Sequence, residues 1–117
     1  MKSRERVVVC AAAALSLLFV AMLRAQADRT AACASLASQQ LPNTTIATAQ
    51  AITGGSFTPP GSSNPMTNLP PFCRVAGTIA PTSESQILFE VWLPLENWNG
   101  KFAGVGNGGW AGTLSLG

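Results

Sequence analysis

Gly104, Gly106, Gly108, Gly109 and Gly112 crowd a nine-residue stretch that follows the run Lys101-Phe102-Ala103. Glycines placed this densely let a backbone approach another group closely, because no Cβ stands in the way. At the end of a buried strand, such a loop offers free N–H groups to the oxygen that becomes negatively charged in acyl transfer. Gly108 and Gly109 are the candidates for that donation, and Trp110 beside them is a candidate wall for a substrate pocket. Two other readings compete. Gly104-Val105-Gly106-Asn107-Gly108-Gly109 also matches the dinucleotide fingerprint letter by letter, but that motif needs a parallel strand before it and a helix after it. The third reading is a tight turn with no chemistry.

The rest of an acyl-transfer apparatus is missing from the sequence, which contains no histidine. Ser115 sits in Gly112-Thr113-Leu114-Ser115-Leu116-Gly117, which is not a G-x-S-x-G elbow, and no base accompanies it. It reads as an ordinary serine, and no residue of this chain is assigned as catalytic. Glu84, Glu90 and Glu96 are the carboxylates of the strand region. Glu90 falls on the polar face of its strand and is expected to be solvated. Trp92 and Trp98 are expected to pack in a core or an interface. Cys33 and Cys73, the two cysteines outside the apolar N-terminal run, make a zinc site improbable without histidine, and no metal site is assigned.

The elements that would position these residues begin after a leader. Met1–Arg6 is basic, Val7–Leu23 is apolar apart from Ser16, and Ala25-Gln26-Ala27 supplies a small-x-small cleavage pattern. The expected cut follows Ala27, with Ala25 as an earlier alternative, so residues 1–27 read as a signal peptide. Cys10 lies too near the start of the apolar run to be a lipid attachment site. An uncleaved anchor is the competing reading, though the run is at the short limit for a bilayer of about 30 Å. The leader also accounts for the formal charge of +2. From Asp28 onward Arg29, Arg74 and Lys101 face Asp28, Glu84, Glu90 and Glu96, a net charge of −1. Without a basic cluster the chain is not a nucleic-acid binder. Export and an even remainder of cysteines suggest a Cys33–Cys73 disulfide, the alternative being partners beyond Gly117.

Asp28–Gln40 carries Ala31, Ala32, Cys33, Leu36 and Ala37 at the spacing of a short amphipathic helix, ended by Leu41-Pro42. Asn43–Ala49 alternates as a short strand, and Asn43-Thr44-Thr45 matches a glycosylation triplet. Gly54–Pro71, with five prolines, is expected to hold no regular structure, with Phe57 as its one buried side chain. Phe72–Ile79 reads as a strand with a slight bulge at Gly77. Pro81–Ser85 is a turn. Ile87–Leu93 is a strand with Ile87, Phe89, Val91 and Leu93 on one face and Leu88, Glu90 and Trp92 on the other. Asn97-Trp98-Asn99-Gly100 turns the chain, Asn99-Gly100 favouring positive φ. Lys101–Val105 is expected to form a further strand. So little periodic structure in 28–70 suggests the front end of a larger domain.

The blocks Cys73-Arg74-Val75-Ala76-Gly77, Phe89-Glu90-Val91-Trp92-Leu93-Pro94, Trp98-Asn99-Gly100-Lys101-Phe102 and Gly104–Gly112 together resemble the N-terminal part of the tannase and feruloyl esterase family. Ala32-Cys33-Ala34-Ser35-Leu36 and Leu41-Pro42-Asn43-Thr44-Thr45-Ile46 look like that family's mature N-terminus. The resemblance implies the N-terminal portion of an α/β-hydrolase fold, β-rich within this fragment. Residues 28–71 would be an extension and loop, and 72–117 the first strands and oxyanion loop. It further implies a secreted or periplasmic serine carboxylesterase acting on aromatic esters, with calcium as a cofactor of the full-length fold and none in this fragment. The family's Cys-Ser-x-Gly-Gly nucleophile motif and its later acid and histidine have no counterpart here. The expectation is therefore an inactive piece of an esterase, with no stable membrane span once the leader is removed. A different class, a small secreted β-rich binding module using its tryptophans as a stacking surface, remains the alternative. A membrane-tethered structural protein that keeps its leader is a third.

Overall fold

The computed structural model describes residues 2–106, with side chains from Ser16 onward. One long helix, α1 (Lys2–Ser35), runs from the leader through the predicted cleavage region and ends in a single 3₁₀ turn over Leu36–Ser38. The helix thus stops five residues before the predicted Gln40. Serine hydroxyls explain the ragged end, since Ser35 Oγ donates to Ala32 O and Ser38 Oγ to Ser35 O, competing with the backbone ladder. Among the described residues, no helix is long and apolar enough to cross a membrane.

Five strands follow: β1 (Thr44–Ile52), β2 (Ser56–Phe57), β3 (Met66–Thr67), β4 (Phe72–Ile79) and β5 (Ile87–Pro94). The main sheet is antiparallel in the order β1-β4-β5, so the most buried strand lies in the middle. β1 starts one residue after predicted Asn43 and continues past Ala49 to Ile52. The predicted strand over Lys101–Val105 is absent. Both backbone groups of Lys101 are taken locally, its N–H by Asn99 Oδ1 and its carbonyl by the Trp98 indole, which leaves nothing for a ladder there. The turn before it does need positive φ, at Asn97 and Gly100 rather than at Asn99. The Gly54–Pro71 segment is also more ordered than its prolines suggest. β2 and β3 pair into a two-residue ribbon, and Leu69 N–H donates to Gly55 O at its base.

Register determines what each face of the sheet carries. Ala49↔Val75↔Val91 and Ala51↔Cys73↔Leu93 share one face. There the buried Cys33, Cys73 and Val75 pack with Leu36, Ile46, Phe89 and Leu95 beneath the end of α1. The predicted disulfide is formed between Cys33 and Cys73, with Cα atoms 5.7 Å apart. The opposite face carries Phe72, Arg74, Glu90 and Trp92 and is roofed by Phe57 of the ribbon.

A bulge does occur at Gly77, but in the facing strand: β1 slips by one residue between Ile46 and Thr48. A Cβ on Gly77 would collide with the Thr45 carbonyl oxygen and come within 2.9 Å of the Phe89 ring. Because backbone cannot yield as a flexible side chain does, Gly77→Ala is expected to cost about 2 kcal/mol or more. Urea unfolding of the variant checks this, and an unchanged midpoint would show that β1 can move away freely.

Candidate functional site

Two places bear on chemistry: the glycine-rich run, and the face of the sheet under the ribbon. In the glycine run the described residues end at Gly106, so Gly108, Gly109 and Trp110 lie outside them. Gly104 and Gly106 are exposed and neither takes positive φ. The strand before them, β5, is antiparallel to its neighbour, and residues 101–106 are neither strand nor helix. The parallel strand that a dinucleotide fingerprint requires is therefore not in front of these glycines.

On the ribboned face, Arg74 and Glu90 are diagonal neighbours across β4 and β5. The guanidinium holds the carboxylate with two bonds of 2.7 Å, Nε to Oε1 and Nη2 to Oε2. Trp92, two residues along the same face of β5, donates its indole N–H to Oε1, also at 2.7 Å. Arg74 and Glu90 expose only 11% and 14% of their side chains, so the pair is largely out of water. Burial pushes the Glu90 carboxyl up. The hydrogen bonds from Arg74 and Trp92, with the Arg74 charge, outweigh it and hold the group below its ordinary value. The expectation that Glu90 is solvated is thus corrected: the strand's second face is covered by the ribbon, which alternation alone does not reveal.

The rest of this face is aromatic. Trp92 and Phe72 stack at 4.3 Å between ring centres, Phe57 meets both edge-on, and the Arg74 guanidinium lies 5.4 Å over the Phe57 ring. Trp92 therefore packs, as expected. Trp98 does not: it is 65% exposed, its indole spent on the Lys101 carbonyl. At the end of β5 an apolar cleft of about 790 Å³ opens between Pro71, Trp92, Leu93, Pro94, Trp98 and Phe102.

The chemistry available here is binding and positioning. Glu90 has both oxygens engaged, so it is not free to act as a base, and the pair locks the orientation of Trp92. No three residues of the types that ligate metals come together among the described residues. The signal for the Arg74–Glu90 pair was present in the sequence as one cation and one anion, each alone in a neighbouring apolar strand.

The chain is 40% identical over 99 residues to an uncharacterized esterase of Xanthomonas campestris, a match covering 85% of this chain and 17% of the relative. It is 37% identical over 90 residues to feruloyl esterase C of Talaromyces stipitatus, covering 70% of this chain and 17% of that enzyme. A probable feruloyl esterase B-1 of Aspergillus oryzae is 43% identical over 54 residues, 46% of this chain and 10% of its own length. The chain thus spans less than a fifth of the curated relatives it matches. No family model and no solved structure matches it. Since the esterase of Xanthomonas campestris matches 85% of the chain and a feruloyl esterase 70% of it, the chain belongs to the feruloyl esterase/tannase-like family of carboxylic ester hydrolases.

Proposed function

We propose that this chain is the N-terminal part of an exported serine carboxylesterase that cleaves phenolic esters of the feruloyl or galloyl type. The observation that carries the proposal is the 99-residue match to an esterase, with 90 residues also matching a feruloyl esterase. The basic and apolar leader and the Cys33–Cys73 bond support export to an oxidising compartment. In this reading the sheet is scaffold, Gly108 and Gly109 donate backbone N–H groups to the oxyanion, and Trp110 walls the pocket. The nucleophile, acid and base come from polypeptide that has no counterpart in these 117 residues.

The purified chain is accordingly expected to release no ferulate from methyl ferulate. The Xanthomonas campestris relative, with its matched segment replaced by this chain, is expected to release it. Gly108→Val in that chimera should lower kcat by about 100-fold or more, the effect of losing one oxyanion donor. Turnover by the chain alone would contradict the reading, as would a folded chimera without turnover. The binding-module alternative is less well supported, because Trp92 is already consumed by Phe72 and Phe57 and leaves only Trp98 open among the described tryptophans.

A further inference from the structure

Asn99 and Gly100 sit in the turn after β5, and both are exposed. Gly100 takes a φ of +75°, and its N–H makes no hydrogen bond among the described residues. Asn99 Oδ1 accepts the Lys101 N–H at 3.0 Å, so the side chain folds back across the Gly100 peptide between them. A carboxamide in that position is open to attack by the glycine nitrogen, because no Cβ on the glycine blocks the approach. The other described asparagines lack this combination. Thr44, after Asn43, spends its N–H on the Leu41 carbonyl at 3.2 Å, and Leu69, after Asn68, spends its own on that of Gly55 at 3.0 Å. Asn64 precedes Pro65, which has no N–H to lose. Asn97 precedes Trp98, whose bulk crowds the same approach.

We infer that Asn99 is a site of spontaneous modification, converting to aspartate or isoaspartate with water as the only co-reactant. The Gly100 nitrogen gives its proton to solvent and attacks Cγ of Asn99. A bond forms between that nitrogen and Cγ, closing a five-membered imide; the Cγ–Nδ2 bond breaks, and ammonia leaves with a proton from solvent. Water then adds to one of the two imide carbonyls and opens the ring. The Lys101 N–H, already bonded to Oδ1, is placed to stabilise the negative charge that develops on that oxygen during the attack. Conversion puts one more negative charge two residues from Lys101. In the isoaspartate form the main chain runs through the side-chain carbons, so the turn gains a backbone atom. The longer turn displaces Lys101, whose N–H and carbonyl are held by Asn99 and Trp98. The altered turn leads directly into the glycine-rich run that begins at Gly104.

The test incubates the purified full chain in mildly alkaline buffer, folded and in guanidinium chloride, and follows its tryptic peptides over time. Cleavage after Arg74 and Lys101 puts Asn99 in peptide 75–101. The second Asn-Gly pair, Asn107-Gly108, lies outside the described residues and falls in peptide 102–117, so the two are read apart. Peptide 75–101 of the folded chain is expected to gain the mass of the acid and to accept a methyl group from an isoaspartyl methyltransferase. The fold imposes on this step at most the loss of one exposed hydrogen bond, so the folded rate should stay within about tenfold of the denatured rate. Asn99→Gln changes an exposed side chain, so it should leave the circular dichroism unaltered while abolishing the product. A folded rate lower by about 100-fold or more overturns the inference, because the turn then protects the site. So does a product that survives in Asn99→Gln, which would place it at Asn97, and so does the absence of conversion in both states. Ester turnover enters none of these measurements, so the inference stands or falls separately from the esterase reading.

Discussion

Replacing Cys33 and Cys73 by serine is expected to lower the stability of the chain by about 4 kcal/mol, from the entropy of a loop closed over that length. The two cysteines are 40 residues apart in sequence, and the bond joins the end of α1 to the central strand. The effect is large relative to what else holds this region. Only Cys33, Phe72, Cys73 and Val75 are buried apolar residues among those described, so half of the buried apolar set is the disulfide itself. Leu36, just after α1, packs against the cluster that the bonded Cys33 and Cys73 form with Val75. Without that bond, the end of α1 has one exposed ion pair near it, Arg29 to Glu96 at 3.4 Å, and exposed pairs of this kind contribute about 1 kcal/mol at most. Urea unfolding with and without reductant checks the prediction. With a slope of about 1–3 kcal/mol per molar for a small protein, the midpoint should fall by more than 1 M. A fall of a few tenths would mean that the reduced chain keeps the helix end on the sheet through packing alone.

The second large effect comes from the other face. Arg74→Ala removes two of the three influences that hold the Glu90 carboxylate ionised and leaves it partly buried beside the Trp92 indole. Breaking a fully buried pair from one side costs about 3–5 kcal/mol, mostly for the charge left behind, and this partly buried pair is expected to lose about 2–3 kcal/mol. Replacing both partners by apolar residues, Arg74→Met with Glu90→Leu, should recover much of that loss, because the Phe57–Phe72–Trp92 cluster can close around them. A double variant as unstable as Arg74→Ala would show instead that the ion pair specifies the packing.

The pH dependence follows from the same pair. The Glu90 carboxyl is held below its ordinary value in the folded chain. A depressed folded value means that its contribution is complete above the unfolded carboxylate pKa of about 4.3 and is lost as pH falls through that value toward the folded one. Thermal midpoints measured from pH 6 down to pH 3 should therefore drop more steeply in the parent chain than in Glu90→Gln. Parallel curves would remove Glu90 from the account of acid sensitivity.

Much of the element order could be read from the residues. Phe72–Ile79 is a strand with the predicted ends because it is apolar or β-branched apart from Arg74 and Gly77, and Ile87–Leu93 follows because it alternates. The cysteine pair was legible from the even count left once residues 1–27 are set aside. Other features were not. Lys101–Val105 has strand-like residues, but a strand exists only where a partner accepts its hydrogen bonds, and Trp98 and Asn99 take those of Lys101 first. Gly54–Pro71 has turn-like residues, yet Phe57 and Met66 pair across it, and Phe57 reaches Phe72 and Trp92. Glu90 looked solvated because alternation along one strand cannot show whether a distant loop covers its second face.

The sequence by itself determined that the chain has an apolar leader, lacks a histidine base, and carries in its glycine and tryptophan blocks the mark of an esterase family. Residue types and spacing suffice for those conclusions, because they concern which atoms are available. Tertiary structure alone decided which face each strand buries and that Arg74, Glu90 and Trp92 form one locked unit. Those depend on register and on long-range contacts, where a one-residue slip reverses every side chain and no local pattern records what lies across the gap.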